Sequence, residues 1–446
     1  MDRFATERAG LPLQPALPQV HLKSAMVIDN AMGKIKGVIE DAERQRLKYR
    51  ESGSWLNDSI PYNQDHYLDE ENKTLAQKLL SDLKIKGGYK AEQKQKDFEI
   101  LLANLFDQKR KPVSISLKQM DWKLSRYNKS SYFTVTLISQ LKKNNYINME
   151  RGYYNIKDEP SRLTRIWATK KLLSYFPEHP SMVLSKPTEL VILHDEKGKP
   201  IDYKDTAETW RIREVLRRLN EVNGEADIRY QDFKLYAYLV AIFKERFTWY
   251  GRLHTKGFRH YQGFNEDERK DITINGESTV ELDYSGLHPN LLYAAEGIQY
   301  SGDPYSIVDE RSEVRPFLKH ILLCMLNAKD KVNAERAANR WLYLHPRESK
   351  IFAATDITRA RPLMDKFIEA HKPISHYFCK GKVTGMRIMN KDSKIALDIV
   401  NYFAKKKIPI LCVHDSFLVQ KQYKDELHQV MADTYHKHTG FSIKIK

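Results

Sequence analysis

Hydrophobic and polar positions follow several different periods along this chain. From Met26 to about Arg50 the apolar residues recur at helical spacing, through Val27, Ala31, Ile35, Val38 and Ile39. Residues 1–25 before them contain Pro and Ala with no period, which predicts a disordered tail. Two further helical stretches are predicted near 67–84 and 91–107, separated by Gly87-Gly88. Residues 26–107 therefore form a predicted helical N-terminal region.

The pattern changes between Ser114 and Ile156. Met120–Tyr127 predicts a short helix, and Asn128–Ser131 a polar turn carrying capping residues. Tyr132–Asn144 predicts a second helix, with Phe133, Leu137, Ile138 and Leu141 on one stripe. "YINMERGYYNI" predicts two strands around Gly152. Helix, turn, helix and β-wing make a winged helix-turn-helix within 108–170. Its second helix would offer Thr134, Ser139, Gln140, Lys142 and Lys143 to a groove, with Arg151 at the wing tip. Modules of this kind also serve purely as protein contacts. "ELVILHDEKGKPIDY" then predicts a hairpin turning at Lys197-Gly198. Helices are predicted over 205–223 and 231–247, giving a connector and thumb-like region across 171–247.

Beyond residue 248 the pattern predicts a mixed α/β domain. "TVELDYS" predicts a strand that ends in a carboxylate, Asp283. "SGLHPNLLYAAEG" opens a helix with Ser285 as its cap and Pro289 tolerated in the first turn. "RPFLKHILLCMLNA" predicts a helix whose Arg315, Lys319, Leu323 and Asn327 share one stripe at spacings of four. "KKIPILCVHDSFLVQ" predicts strand, turn, strand with Asp415 near the bend, and "KDELHQVMADTYHKH" a final helix.

Composition sharpens this. The chain has 446 residues, 41% hydrophobic and 30% charged, which suits a protein with cores in two or three domains. Its longest apolar runs are too short to span a membrane, and the N-terminus lacks an apolar signal core. Only Cys324, Cys379 and Cys412 are present, far apart and without zinc-ligand spacing. A cytoplasmic protein is expected. The net charge of +16 points to a polyphosphate partner. Residues 101–170 hold fourteen Lys/Arg against five Asp/Glu, so over half the excess lies in the winged-helix segment.

The charge also gives the second half its chemistry. Two strand-end carboxylates, Asp283 and Asp415, can converge on divalent ions that take a few carboxylates, water and substrate phosphates. Two such ions stabilise the attacking and leaving oxygens of an in-line phosphoryl displacement. The cationic stripe of Arg315 and Lys319 suits the triphosphate.

In that order these segments resemble the palm and fingers of the family A DNA polymerases and the single-subunit phage-type RNA polymerases. "ELDYSGLHPNLLYA" resembles motif A, "RPFLKHILLCMLNA" motif B, "VHDSFLV" motif C, and "YGRLHT" the Arg-bearing segment ahead of motif A. The resemblance covers about residues 246–440. It implies a right-hand α+β fold: an antiparallel-sheet palm, small helical fingers and a thumb. It also implies Mg²⁺, as two ions with Mn²⁺ as a substitute, held by Asp283, Asp415 and the Tyr284 carbonyl. Lys319 would contact the phosphates and protonate the departing pyrophosphate, and Arg315 would hold the β/γ-phosphates. His414 would lie by the primer end. Arg252 and Arg269, from the segment before motif A, would lie along the template–primer.

Several positions depart from the family pattern. The Tyr-Gly that closes motif B is Asn327-Ala328 here. His288 stands where the DNA polymerases have a sugar-screening Glu, and Leu323 replaces an aromatic or Met. These three residues leave the sugar choice open. No second acid follows Asp415, the Asp283–Lys319 interval is short, and no proofreading-exonuclease motif precedes the palm. The implied activity is template-directed nucleotide transfer for a phage or mobile element. The implied partners are a DNA template and primer, dNTP or NTP, and an accessory replication protein. A DNA polymerase, a primase and a small RNA polymerase all fit. Two further readings compete: a winged-helix replication initiator with an inactive palm, and a two-metal nuclease, which would not need Arg315 and Lys319.

Overall fold

The computed structural model describes residues 54–85, 90–106, 111–153, 161–176, 187–256, 260–353 and 357–446. The expected tail over 1–25, the helix over 26–50 and the Gly87-Gly88 break lie outside them. The helices Glu70–Asp82 and Ala91–Leu105 form close to the expected bounds. The first is capped by Asp69, whose Oδ1 accepts from the Asn72 backbone N–H at 2.8 Å.

The chain forms two compact units, and it passes between them more than once. One takes described residues within 54–62, 104–117 and 138–176; the other takes those within 63–103, 118–137 and 187–446. The first unit holds a four-stranded sheet in the order β1-β2-β4-β3. Its strands are β1 (Ile60–Pro61), β2 (Val113–Ile115), β3 (Ile147–Glu150) and β4 (Thr164–Ala168). Val113, Ile115, Ile147 and Ile166 are buried in it. Helix α1 (Phe133–Lys143) crosses the division between the units.

Two expectations for this segment are corrected. Met120–Tyr127 does not form a helix: only the 3₁₀ turn Gln119–Trp122 appears. Asn128 Nδ2 donates to the Asp121 and Lys123 carbonyls at 3.0 and 2.9 Å, so a side chain takes up carbonyls that a helix would have used. Nor does Gly152 mark the wing tip. Tyr153 already pairs with Arg162, and β3 pairs with β4 through Glu150 and Arg165. A Cβ at Gly152 would lie 2.1 Å from the Arg162 carbonyl oxygen, so the glycine admits the opposite limb of the hairpin.

The second unit contains two sheets. One has three strands in the order β5-β8-β9. These are β5 (Val191–His194), β8 (Leu239–Lys244) and β9 (Arg246–Thr255). The other has six strands, all antiparallel, in the order β12-β13-β11-β10-β6-β7. They are β6 (Ile228–Tyr230), β7 (Phe233–Lys234), β10 (Ile272–Ile274), β11 (Glu277–Asp283), β12 (Leu411–Val413) and β13 (Ser416–Gln420).

The helix expected over 231–247 is therefore strand. Leu239, Val240, Ala241 and Phe243 are all buried, and a short continuous apolar run fits a buried strand as well as a buried helix. The other expected thumb helix forms as α2 (Ala207–Glu225), with a capping box between Thr206 and Thr209. Helices α3 (Leu287–Ala295), α4 (Arg315–Asn327), α5 (Lys382–Lys405) and α6 (Lys424–Thr439) complete the frame used below. Helix α5 lies against β9, α2 and α4. No described helix is long and apolar enough to cross a membrane.

Candidate active site

The pairing of β11 with β13 sets the geometry of the site. Asp283 is the last residue of β11 and sits opposite Ser416, the first residue of β13. Asp415 precedes Ser416 in the two-residue turn between β12 and β13. His414, the other turn residue, has φ of 60°, the positive value that tight hairpin turns require. A register slip of one residue would turn Asp283 to the other face. The carboxylates thus come from the end of one strand and from the adjoining hairpin turn of one sheet, and they line one cleft of about 860 Å³. Lys319, Arg269, His414, Glu281, Lys270, Lys421 and Lys446 line it too.

Burial, and then the Asp415 charge, push the Asp283 carboxyl up to about 7, against the pull of Lys446 and Lys319. Among the described residues neither carboxylate has an ion-pair partner within 4.0 Å or a side-chain hydrogen bond. Two carboxylates on one cleft are donors of the kind that divalent ions take, and among the described residues no cluster of three or more His, Cys, Asp or Glu side chains adds to them. Tyr284 follows on the chain. Its hydroxyl is tied into the core, donating to the Met431 carbonyl at 2.6 Å, and its backbone bridges to Ile445.

Helix α4 buries Phe317, Leu318, Ile321, Leu322, Met325 and Leu326. Arg315, Lys319, Leu323 and Asn327 are left on the opposite stripe, as the spacing predicts. Lys319 is exposed at the cleft and has no ion pair among the described residues. The surrounding protein lowers its pKa, Arg315 and Lys446 add to that, and Asp283 and Asp415 oppose it. Arg315 instead holds Asp303, with Nε donating at 2.8 Å and Nη2 at 3.3 Å, and lies over the Tyr305 ring. Leu323 is exposed. Asn327 lies against α5, where a Cβ at Gly385 would come within 2.4 Å of its Oδ1.

Arg252 and His288 meet on a residue that sequence reasoning missed, Asp392 of α5. Arg252 donates to Asp392 Oδ2 from Nε at 3.1 Å and from Nη2 at 2.7 Å. His288 Nε2 lies 3.1 Å from Arg252 Nη2 and 3.7 Å from the same Asp392 oxygen. Burial raises the Asp392 carboxyl, but the neighbouring His288 and the Arg252 charge outweigh it and hold it below the ordinary range. A signal existed: Asp392 shares the helical stripe of Ile388, Ile395 and Ile399, where a carboxylate needs a partner.

Gly251 explains the approach. Its φ is 80°, and a Cβ there would lie 2.7 Å from Ser393 Oγ and 2.8 Å from Phe243 Cε1. Only glycine lets β9 and α5 come this close. Arg269 is likewise paired rather than free. It forks onto Glu281 at 2.8 and 2.9 Å and donates to the Phe264 carbonyl at 2.7 Å. Glu281 also accepts from Ser416 Oγ. It lies two residues before Asp283 on the same strand face, so the period of two could have revealed it.

His414 is half-buried against His254, with ring centroids 6.2 Å apart. Its Nδ1 is buried without a hydrogen-bond partner among the described residues, and burial lowers its pKa. Burial also pushes His254 down to about 4. Ser285 does not cap α3. Gly286 does so, at φ 64°, because a Cβ there would meet Pro304 Cγ at 2.7 Å. In the other unit, Lys142, Lys143 and Arg151 are exposed. Thr134, expected to face a groove, is fully buried.

No known protein family matches the chain, and no curated protein does. Among solved structures, the POL domain of Pol1 from M. smegmatis, in complex with DNA primer-template and dNTP, is similar at 12% identity and a TM-score of 0.31. The overlap covers 54% of this chain and 50% of that one, so the chain matches about half of that structure's length.

Proposed function

We propose that the chain is a template-directed nucleotidyltransferase, in the form of a DNA polymerase that adds dNTPs to a primer 3′-OH. The supporting observation is the juxtaposition at the ends of β11 and β13: Asp283 and Asp415 line one cleft without an ion-pair partner among the described residues, and Lys319 lines it with them. In this reading the six-stranded sheet is the palm, α4 belongs to the fingers, and the four-stranded sheet with α1 is a winged module.

Asp283, Asp415 and the Tyr284 carbonyl would hold Mg²⁺, or Mn²⁺ in its place. Bound there, the metal supplies charge stabilisation for the attacking and leaving oxygens. The primer oxygen attacks the α-phosphorus, and the bond to the bridging oxygen of pyrophosphate breaks. Lys319, with a lowered pKa and no ion pair among the described residues, would protonate the departing oxygen. Arg315 reaches the outer phosphates by exchanging Asp303 for the stronger anion. His414 and His254 border the primer end. The Arg252–Asp392–His288 cluster stands at the sugar side, where family A enzymes place a Glu. Lys142, Lys143 and Arg151 would contact the DNA backbone.

The test uses primed and unprimed single-stranded templates of defined sequence, Mg²⁺ or Mn²⁺, and dNTPs or NTPs in separate reactions. Products complementary to the primed template from dNTPs support the proposal. NTP-only products from unprimed template would make the chain a primase or RNA polymerase instead. DNA binding with no synthesis in any condition would make it an initiator with an inactive palm.

A further inference from the structure

The last three residues of the sequence, 444–446, run antiparallel to the end of β11. Asp283 N–H donates to the Lys446 carbonyl at 2.8 Å, Lys446 N–H donates back at 3.0 Å, and Ser285 N–H donates to the Lys444 carbonyl at 2.9 Å. The segment therefore pairs, through an isolated antiparallel bridge between Tyr284 and Ile445, beside the residue expected to bind metal. These backbone bonds fix Lys446 at the cleft wall.

Its ammonium is exposed and has no ion pair among the described residues. It is nevertheless close enough to act on three groups. It is the strongest of the charges that lower Asp283, it lowers Asp303, and it depresses Lys319. Asp303 is the residue that holds Arg315. Lys446 thus stands among the groups that the nucleotidyltransferase reading assigns to the triphosphate. Lys319 and Lys446 repel one another, and neither has an ion pair among the described residues. Two such ammonium groups beside one cleft suit an anion that both can contact.

We propose that Lys446 is a polyphosphate-binding residue. It forms with Lys319 a subsite for the β- and γ-phosphates of a nucleoside triphosphate, and for the pyrophosphate released from it. The proposal rests on the nucleotidyltransferase reading for its role in turnover, but the binding itself can be measured without turnover. The β11 pairing uses only the backbone of Lys446, so replacing its side chain leaves that pairing in place.

The experiment compares wild type, Lys446→Gln and Lys446→Arg, with Lys444→Gln as a control for lost charge. Binding of inorganic pyrophosphate in Mg²⁺ is measured by calorimetry, and KM for dNTP and kcat by primer extension. Lys446→Gln is expected to weaken pyrophosphate binding by about tenfold, the loss of one charge-assisted hydrogen bond. It should raise KM by a similar factor, with Lys446→Arg near wild type and Lys444→Gln unchanged. Pyrophosphate affinity for Lys446→Gln within twofold of wild type overturns the subsite, as does an equal loss in Lys444→Gln. If wild type makes no product, the nucleotidyltransferase reading falls, and the pyrophosphate comparison still decides the subsite.

Discussion

Asp283 and Asp392 are both largely enclosed carboxylates, and their surroundings push them in opposite directions. Burial, and then the Asp415 charge, raise the pKa of Asp283 to about 7. A carboxyl raised on folding contributes stability below its unfolded pKa of about 4 and loses it as pH rises through the folded value. In chelator, the Tm of wild type should therefore fall between about pH 4 and 7 relative to Asp283→Asn. Mg²⁺ at pH 8 should remove that difference. Parallel Tm profiles for the two proteins across this range would contradict the raised pKa of Asp283. Asp392 is compensated by Arg252 and His288. Removing it strands a buried guanidinium, so Asp392→Ala should cost about 3–5 kcal/mol in urea unfolding. A loss below about 1 kcal/mol would place the pair in a solvated setting.

At the scale of elements, Gly251 allows β9 to lie against α5. Gly251→Ala meets a φ of 80° and contacts below 3 Å from Ser393 and Phe243. It should cost about 1–3 kcal/mol by urea unfolding, and it should raise KM for primer–template by displacing Arg252. A neutral substitution would mean that the strand and helix can move apart freely. The same elements show what was legible in the sequence. The strand ending at Asp283, the α4 stripe and the hairpin around Asp415 could be read because local periodicity and a tight turn encode them. The stretch 231–247 could not, since a buried apolar run carries no period. The partners of Arg252, Arg269 and Arg315 were also missed. Asp392 lies 140 residues from Arg252, and pairing over that distance leaves no local mark. Lys446 was missed for the same reason: its place on β11 depends on an edge pairing that only the folded sheet shows.

At the scale of the whole molecule, the charge of +16 is unevenly spread, and residues 101–170 carry most of the excess. If that segment contacts phosphates, DNA affinity should fall steeply with salt. Lys142→Ala, Lys143→Ala and Arg151→Ala should each shallow the log–log salt slope by about one. Unchanged slopes would assign those exposed cations to solvent. Nucleotide transfer itself would depend on the carboxylate pair in the other unit. The most direct test is incorporation of a labelled dNTP opposite a known template base, in Mg²⁺, by wild type and Asp415→Ala side by side. Templated, Mg²⁺-dependent extension is expected from wild type and none detectable from Asp415→Ala, with the variant still folded and still binding DNA. Equal extension by the two proteins, or none by wild type with any nucleotide or metal, would contradict it.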